Sequence, residues 1–238
     1  REAIAAAIHQ PKPERKIIGA LRQPNDVVLL VTPIDSAAPK GRLILPQQQT
    51  IRDILDHDAV SMVVQVPQIQ AALAALGRAP RLVVTDSQAF EEVSRIVPEE
   101  IPLTSFSILF ARYKGGLEAA VRGAKALDTL RDGDTVLISE GCTHHRQCED
   151  IGTVKLPGWI EGYTGRKGLK FRFTSGGEFP EEMTGVSLVV HCGGCMLNER
   201  EMKSRAARAK EAGVPMTNYG IAIAKMKGIL DRAVRPVL

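Results

Sequence analysis

The chain has 238 residues, a formal net charge of +4 and 44% hydrophobic residues, a length that allows one large domain or two ordinary ones. No stretch approaches the roughly 18 uninterrupted apolar residues of a membrane span, so we expect a soluble protein with no membrane partner. Aromatic residues are only 4% of the chain and the basic residues are spread out, which argues against a nucleic-acid partner. Because no secretory signal is present, we expect a cytoplasmic protein whose four cysteines are reduced and available for metal or redox chemistry.

The first segment, residues 1–19, begins without an initiator methionine and has the pattern of a helical fragment followed by a Pro- and Lys-containing linker. We interpret it as the linker remnant of a longer protein. Neither the pattern G-x-x-x-x-G-K-[ST] nor the pattern G-x-G-x-x-G occurs in the chain. Nucleotide binding therefore has no support in this sequence.

Between residues 20 and 115, short apolar runs alternate with segments that have apolar residues at helical spacing. Strands are predicted at VVLLVTPI, SMVVQV and RLVVTD, and a helix is predicted after each of them. Ser87 is positioned to cap the third helix, and Thr104 or Ser105 to cap a further helix that ends at a glycine pair. We place a domain boundary after residue 115.

Residues 116–238 repeat this alternation. A helix from about Leu117 to Leu130 precedes strands at TVLIS, LKFRF, SLVVH and GVPMT. Further helices are predicted at PGWIEGY, NEREMKSRAARAKEAG and YGIAIAKMKGILDRAV. Nearly continuous apolar strands that alternate with helices favour parallel sheets covered on both faces. The sequence therefore predicts an α/β fold of two consecutive α/β domains, each with a mostly parallel sheet flanked by helices.

All four cysteines fall in the loops that follow two of these strands. The strand TVLIS leads into a loop with Cys142, His144 and Cys148, and the strand SLVVH leads into a loop with Cys192 and Cys195. In parallel sheets, ligands bind beyond the carboxyl ends of the strands, so the two loops converge if the two strands are neighbours. Thiolates are soft ligands that suit zinc and iron–sulfur clusters. The sequence therefore predicts thiolate chemistry at one edge of the second sheet.

The residues alone leave the kind of chemistry open. Cys192 and Cys195 form a C-x-x-C motif between a strand and a helix, which is also typical of a thiol–disulfide oxidoreductase. A zinc-binding assembly module with Cys142, His144, Cys192 and Cys195 as ligands is as compatible with the spacing as an iron–sulfur cluster is. His191 is compatible with metal ligation and equally with a core position in which its ring bonds a backbone carbonyl.

Several segments resemble the FeFe-hydrogenase maturation factor HydF family. The metal-binding motif of that family, C-x-H followed after a long gap by H-C-x-x-C, is matched by residues 142–144 and 191–195. The segments VKLPGW and GVPMTNYG also resemble this family. Three further segments resemble the dimerisation domain of this family, namely VTPIDSAAPKGRLILPQQQTIRDILD, VVTDSQAF and IPLTSFSILFARYKG. The resemblance covers essentially the whole chain from about residue 20.

The resemblance implies a scaffold protein rather than an enzyme. It implies a 4Fe-4S cluster bound by Cys142, Cys192 and Cys195, with one iron open to an exchangeable ligand. It implies His144 and His191 as cofactor-binding residues, either as that ligand or as partners of the ligands. It further implies a diiron precursor as cargo, made with the help of radical-SAM maturases and delivered to the apo FeFe-hydrogenase during H-cluster maturation.

The resemblance also implies a domain organisation. Residues 20–115 correspond to the dimerisation domain and residues 116–238 to the iron–sulfur cluster-binding domain, so a homodimer or a higher oligomer is expected. Members of the family begin with a GTPase domain that has no counterpart in this sequence, and GTP hydrolysis is therefore not assigned to it. Cys148 lies outside the three-cysteine pattern and is open as a bystander thiol or as a further ligand.

Overall fold

The computed structural model describes residues 16–19, 21–34, 43–141 and 151–238. It contains two parallel sheets of four strands each, ordered β2-β1-β3-β4 and β6-β5-β7-β8. The strands are β1 Val27–Val31, β2 Val60–Val64, β3 Leu82–Thr85, β4 Leu103–Ser105, β5 Thr135–Ser139, β6 Lys170–Thr174, β7 Val186–His191 and β8 Met216–Asn218. The helices are α1 Leu45–Leu55, α2 Ile69–Leu76, α3 Phe90–Ile96, α4 Phe106–Tyr113, α5 Leu117–Ala124, α6 Leu156–Thr164, α7 Glu199–Glu211, α8 Tyr219–Met226 and α9 Leu230–Val234. Short 3-10 segments lie at Val66–Gln68 and Lys125–Thr129, and a π-helical segment at Ile151–Lys155.

This architecture confirms the predicted fold class, with parallel sheets flanked by helices. All residues of β1 and β3 are buried, and β7 is buried except at one position. In parallel sheets the crossover helices cover both faces, so the central strands lose the alternation of apolar and polar residues. None of the helices in the described ranges combines the length and the apolar character needed to cross a membrane.

The end of the segment predicted as a linker remnant, residues 1–19, is part of the first core. Ile17 and Ile18 are 6% and 0% exposed. The Asp53 carboxylate on α1 accepts the backbone N–H groups of Ile17, Ile18 and Gly19 at 3.1, 2.8 and 2.9 Å. Hydrogen bonds to an ionised carboxylate are among the stronger ones in proteins, so this segment is anchored to α1 before β1 begins.

The two halves of the chain repeat the same order of elements. In each sheet the first strand pairs in parallel with the third, Val31 with Thr85 and Ser139 with His191 at their carboxyl ends. The fourth strand of each sheet, β4 or β8, is three residues long and leads directly into an eight-residue helix, α4 or α8. Both sheets therefore present equivalent loops at their carboxyl edges.

The helices α4 and α8 begin with equivalent caps. The Ser105 hydroxyl accepts the Ile108 N–H at 3.4 Å, and the Asn218 side-chain oxygen accepts the Ile221 N–H at 2.8 Å. Each cap satisfies an N–H that has no partner within the first helical turn. The prediction of Ser105 as a cap is confirmed.

The strands β4 and β8, each at one edge of its sheet, are each covered by a helix. The helix α5 crosses β8 so closely that a Cβ on Gly123 would lie 2.0 Å from the carbonyl oxygen of Met216. The helix α9, from the C-terminal end, packs near β4 and joins the core around the first sheet. Its Arg232 guanidinium donates to the carbonyl oxygens of Val97 and Pro98 at 2.9 and 2.6 Å. The second half of the chain therefore completes the first core.

The prediction of Ser87 as a helix cap is wrong. The N-cap position of α3 is Ala89, and the Ser87 hydroxyl instead shares a hydrogen bond of 3.0 Å with the Ser107 hydroxyl. Ser87 is therefore used in packing against α4 rather than in starting α3.

Three further details of the predicted elements need correction. The strand β4 is absent from the prediction, which took Thr104 or Ser105 as the cap of the following helix, whereas both residues belong to the strand. The helix predicted from about Leu117 to Leu130 is α-helical only to Ala124 and continues as a 3-10 segment. The single helix predicted over YGIAIAKMKGILDRAV is two helices, interrupted at Gly228, whose φ of 71° is left-handed.

Candidate metal centre

The two cysteine-bearing loops leave neighbouring strands. β5 pairs with β7, and the Cys192 N–H donates to the Ser139 carbonyl at 2.8 Å. The Gly141 N–H donates to the Cys192 sulfur at 3.1 Å. The loop after β5 therefore begins in hydrogen-bond contact with the loop after β7. The predicted site residues Cys142, His144 and Cys148 belong to the segment 142–150, which lies outside the described residues.

The Cys192 sulfur accepts a second backbone N–H, from Gly194 at 3.3 Å. N–H groups directed at sulfur stabilise its negative charge, and such bonds tune thiolates bound to metal clusters. Gly194 has a φ of 61°, and a Cβ there would lie 2.6 Å from the Met202 sulfur, so the turn requires glycine. The side chains of Cys192 and Cys195 are both partly accessible.

His191 lies beneath this loop with no exposed surface. Burial lowers the pKa of its imidazole from 6.5 to about 4, so the ring is neutral at neutral pH. Its Nε2 lies 3.0 Å from Nη1 of Arg205, and arginine can only donate. Nε2 therefore accepts, and Nδ1–H donates to the Cys192 carbonyl at 2.7 Å. Both ring nitrogens are engaged inside the protein, one of them with the cysteine loop.

Arg205, on α7, is 1% exposed and holds this imidazole in place. Its Nε donates to the Glu201 carboxylate at 2.8 Å and its Nη2 to the Gly176 carbonyl at 2.6 Å. The guanidinium carbon lies 5.1 Å from the centre of the Phe179 ring, within cation–π range. The hydrogen bond from Arg205 also lowers the pKa of Glu201. The network fixes the ring of His191 and through it the carbonyl of the first cysteine in the loop.

Lys114 reaches the same loop from the end of α4. Its Nζ donates to the Leu197 carbonyl at 3.1 Å and also to the Gly194 carbonyl. Burial lowers the pKa of Lys114, and the negative charges of Cys195 and Cys192 oppose that lowering. The ammonium group is therefore bonded to the residue that directly precedes Cys195.

The residues that flank the segment 142–150 are held at this sheet edge. Glu140 directly follows β5, is 4% exposed and accepts the Tyr219 hydroxyl at 3.2 Å. Gly152 packs against this pair, since a Cβ there would lie 2.4 Å from the Tyr219 oxygen and 2.6 Å from a Glu140 carboxylate oxygen. Glu140 and Gly152, one on each side of that segment, are therefore held close together.

A cavity of about 670 Å³ opens beside the loop. His191, Cys192 and Gly193 line it together with Lys114, and alanine side chains of α5 and α7 form much of its walls. Cavities of this size hold small-molecule ligands in proteins. Cys192 therefore borders a space that can accept a ligand.

These features fit a thiolate metal centre. Two soft donors lie in one tight loop, backbone amides are directed at one sulfur, and a cavity reaches it. In the part of the chain that the structure describes, no group of three or more His, Cys, Asp or Glu side chains is arranged to hold a metal ion, and Cys142 lies outside that part. The assignment of Cys142, Cys192 and Cys195 as ligands, and of His144 and His191 as cofactor-binding residues, stays a prediction.

Three residues of this region were not identified from the sequence. Arg205 lies in the charged helix EREMKSRAARAKE, where no pattern separates it from exposed neighbours. Lys114 has the appearance of an ordinary cation at a helix C-terminus. Glu140 offered a signal, because it directly follows a buried strand at the edge where ligands bind.

The fold and the site define a class of protein with two α/β units and a cysteine loop at the carboxyl edge of the second sheet. Residues 17–115 match the Hydrogen maturase F dimerization domain, and residues 118–236 match the Hydrogen maturase F tetramerization domain. The chain therefore belongs to the HydF family, as the sequence resemblance predicted. No curated protein sequence matches the chain.

Membership of this family implies a role in hydrogenase maturation. The two matched domains are named for dimer and tetramer formation, which supports homo-oligomer formation by this chain.

Proposed function

We propose that this chain is a scaffold that binds a 4Fe-4S cluster through Cys142, Cys192 and Cys195 and holds a diiron precursor for delivery to apo FeFe-hydrogenase. The role is carriage of a cofactor precursor rather than turnover. Family membership supports the maturation role. The observation that carries the proposed ligand set is the hydrogen bond from the Gly141 N–H to the Cys192 sulfur.

That hydrogen bond supports Cys142 as the third ligand. Gly141 directly precedes Cys142 in the chain, and consecutive Cα atoms are only about 3.8 Å apart. Cys142 therefore directly follows a residue whose N–H is hydrogen-bonded to the sulfur of Cys192. Three protein thiolates leave one iron of a 4Fe-4S cluster open to an exchangeable ligand, whereas a structural zinc site has all four positions filled by protein.

The cavity beside Cys192 supports the carriage of cargo. It opens next to the cysteine loop and is about 670 Å³ in volume, which is large enough for a small ligand. Cargo in this cavity would lie against the loop of the proposed cluster. The radical-SAM maturases that make the diiron precursor and the apo-hydrogenase that receives it are the proposed partners.

The two histidines of the family motif have different proposed roles. His144 is the candidate for the exchangeable ligand or for a neighbour of it. His191 orients the loop, because its Nδ1–H holds the Cys192 carbonyl while Arg205 occupies its Nε2. Binding of iron by Nε2 would require the loss of the Arg205 hydrogen bond.

We place the dimer contact at strand β2, the outer edge of the first sheet. Val60 and Val63 on this strand are 49% and 42% exposed. An edge strand also presents unpaired N–H and C=O groups that a second copy of the chain can pair with. Pairing of β2 with its copy would join the two first sheets and bury both valines.

Iron and sulfide analysis after anaerobic reconstitution tests the proposed ligand set. We expect about four irons per chain for the wild-type protein. The variants Cys142→Ala, Cys192→Ala and Cys195→Ala should each lose the cluster, because each removes one of three thiolates. Cys148→Ala is the matched control and should retain it.

Other outcomes would contradict the proposal. Tight zinc binding without iron or sulfide would favour the zinc-binding assembly module. Disulfide reduction by the metal-free protein, with no dependence on Cys142, would favour a thiol–disulfide oxidoreductase that uses Cys192 and Cys195. Loss of the cluster in Cys148→Ala would show that the ligand set is wrong.

A further inference from the structure

Two lysines occupy equivalent positions in the repeated topology. Lys114 is the C-cap residue of α4, and Lys227 is the C-cap residue of α8. Lys227 forms an ion pair of 2.6 Å with the Glu91 carboxylate at the start of α3, the helix that follows the third strand of the first sheet. Lys114 instead donates to the carbonyl oxygens of Gly194 and Leu197, in the loop that follows the third strand of the second sheet.

The two lysines differ in how their charge is balanced. The Lys227 charge is balanced by the Glu91 carboxylate. Within the described ranges, the polar partners of the Lys114 ammonium group are backbone carbonyls, and one of them belongs to Gly194, which directly precedes Cys195. A charge in a partly buried site interacts more strongly with its neighbours than one in water. The positive charge of Lys114 is therefore directed at the cysteine loop.

We propose that Lys114 is a positioning residue of the cluster site, which fixes the loop carrying Cys192 and Cys195 and places a positive charge beside their thiolates. This inference rests on the proposed function, because it takes that loop as the cluster-binding loop. The half that contains the dimerisation domain would act directly on the metal centre through α4.

The hydrogen bonds show how Lys114 holds the loop. The Gly194 carbonyl accepts the Leu197 N–H at 3.0 Å and also accepts the Lys114 ammonium group. The turn is therefore closed from within by one hydrogen bond and held from α4 by two more. An uncharged, non-donating side chain at position 114 would leave both carbonyls without this donor, and the turn would open more often.

Amide hydrogen exchange in the metal-free full chain tests the contact without any need for a cluster. In Lys114→Met, exchange of the Leu197 amide should accelerate by roughly tenfold or more, because the turn loses a charge-assisted contact. Lys227→Met is the matched control, and it should leave exchange of the Leu197 amide unchanged. Unchanged exchange in Lys114→Met, or equal acceleration in both variants, would overturn the proposal.

The reconstituted protein tests the role of the charge. Removal of a positive charge near an anionic cluster favours its oxidised form, so Lys114→Met should shift the reduction potential to more negative values. Iron should also be lost faster to a chelator. Lys114→Arg keeps the charge and the donors and should restore both properties. If Lys114→Met does not fold, Lys114→Gln provides the neutral variant.

The two measurements separate this inference from the proposed function. A wild-type cluster whose potential and iron retention do not depend on Lys114 overturns the inference and leaves the scaffold role standing. Failure of the wild-type protein to bind any cluster overturns the scaffold role and the charge role of Lys114, whereas the exchange result on metal-free protein still decides whether Lys114 holds the turn.

Discussion

The residue that follows β3 in the first sheet is Asp86, and the residue that follows β7 in the second sheet is Cys192. The Asp86 carboxylate accepts the side-chain amide of Gln47 at 2.7 Å, whereas the Cys192 sulfur accepts two backbone amides. The strand ends are equivalent, so the same topology provides the same kind of edge twice. A soft sulfur donor occurs at only one of these two positions. The capacity to bind a soft metal therefore depends on the residue at the strand end rather than on the fold.

The outer edges of the two sheets also differ. Strand β2, with the sequence VSMVV, has exposed valines and no charge. Strand β6, with the sequence KFRFT, exposes Lys170 and Arg172. Charged side chains on an edge strand oppose pairing with a second copy. The outer edge of the first sheet is therefore better suited than that of the second sheet to pairing with a second copy, although both sheets have the same strand order.

The largest expected effect comes from a substitution that disturbs the packing of α5 on β8, at the edge of the second sheet. Gly123→Ala places a methyl group 2.0 Å from the Met216 carbonyl oxygen, so α5 must move away from β8, and urea unfolding should show a loss of about 3 kcal/mol. Gly158→Ala, on α6, is the control, because a Cβ there has no atom within 4 Å. It should raise stability by up to about 1 kcal/mol. Equal effects of the two substitutions would contradict close packing of α5 on β8.

A second pair of variants compares two ion pairs, one on α3 and one on α7, the helices that follow the third strand of each sheet. Arg205 pairs with Glu201 and is 1% exposed in its side chain, whereas Arg95 pairs with Glu91 and is 74% exposed. Arg205→Met leaves Nε2 of the buried His191 without its donor, so unfolding should become easier by about 2 kcal/mol. Arg95→Met should change stability far less, because exposed pairs contribute little. Similar losses would show that Arg205 does not support the cysteine loop.

The C-terminal helix provides a third test, of the dependence of the first half on the second. Arg232→Met removes donors from carbonyl oxygens at the end of α3, so a loss of about 1.5 kcal/mol is expected in urea unfolding. Arg235→Met, at an exposed position beyond the same helix, is the control and should have little effect. No loss in Arg232→Met would mean that α9 is not anchored by this contact.

The smallest expected effect concerns the edge strands. Val63→Lys introduces a charge on β2, and the dissociation constant of the dimer should rise by about tenfold or more, as measured by analytical ultracentrifugation. Phe173→Lys makes a matching change on β6, where Phe173 is 39% exposed, and should leave the dimer intact. A dimer weakened only by Phe173→Lys would place the contact on the second sheet instead.

Much of the fold follows from local patterns in the sequence. The buried strands and their helices were predictable because parallel strands are continuous apolar runs followed by amphipathic segments. The contact between Gly141, at the start of the loop after β5, and Cys192 required only that β5 and β7 be neighbours, which they are. The strand β4 was missed because two of its three residues, Thr104 and Ser105, are typical helix caps and were assigned to the start of the next helix.

The residues that hold the cysteine loop in place could not be predicted in the same way. Lys114 and Gly194 are 80 positions apart in the chain, and the hydrogen bond between them depends on how the two halves pack. Arg205 has the same local surroundings in the sequence as the exposed residues of α7. Contacts of this kind depend on tertiary structure and leave no period or spacing in the sequence.

Electron paramagnetic resonance of the reduced, anaerobically reconstituted protein tests the central claim most directly. The wild-type protein and Asp86→Asn should both show the signal of a reduced 4Fe-4S cluster, and Cys192→Ala should show none. A signal that survives Cys192→Ala, or that disappears in Asp86→Asn, would contradict the assignment of the cluster to the cysteine loop of the second sheet.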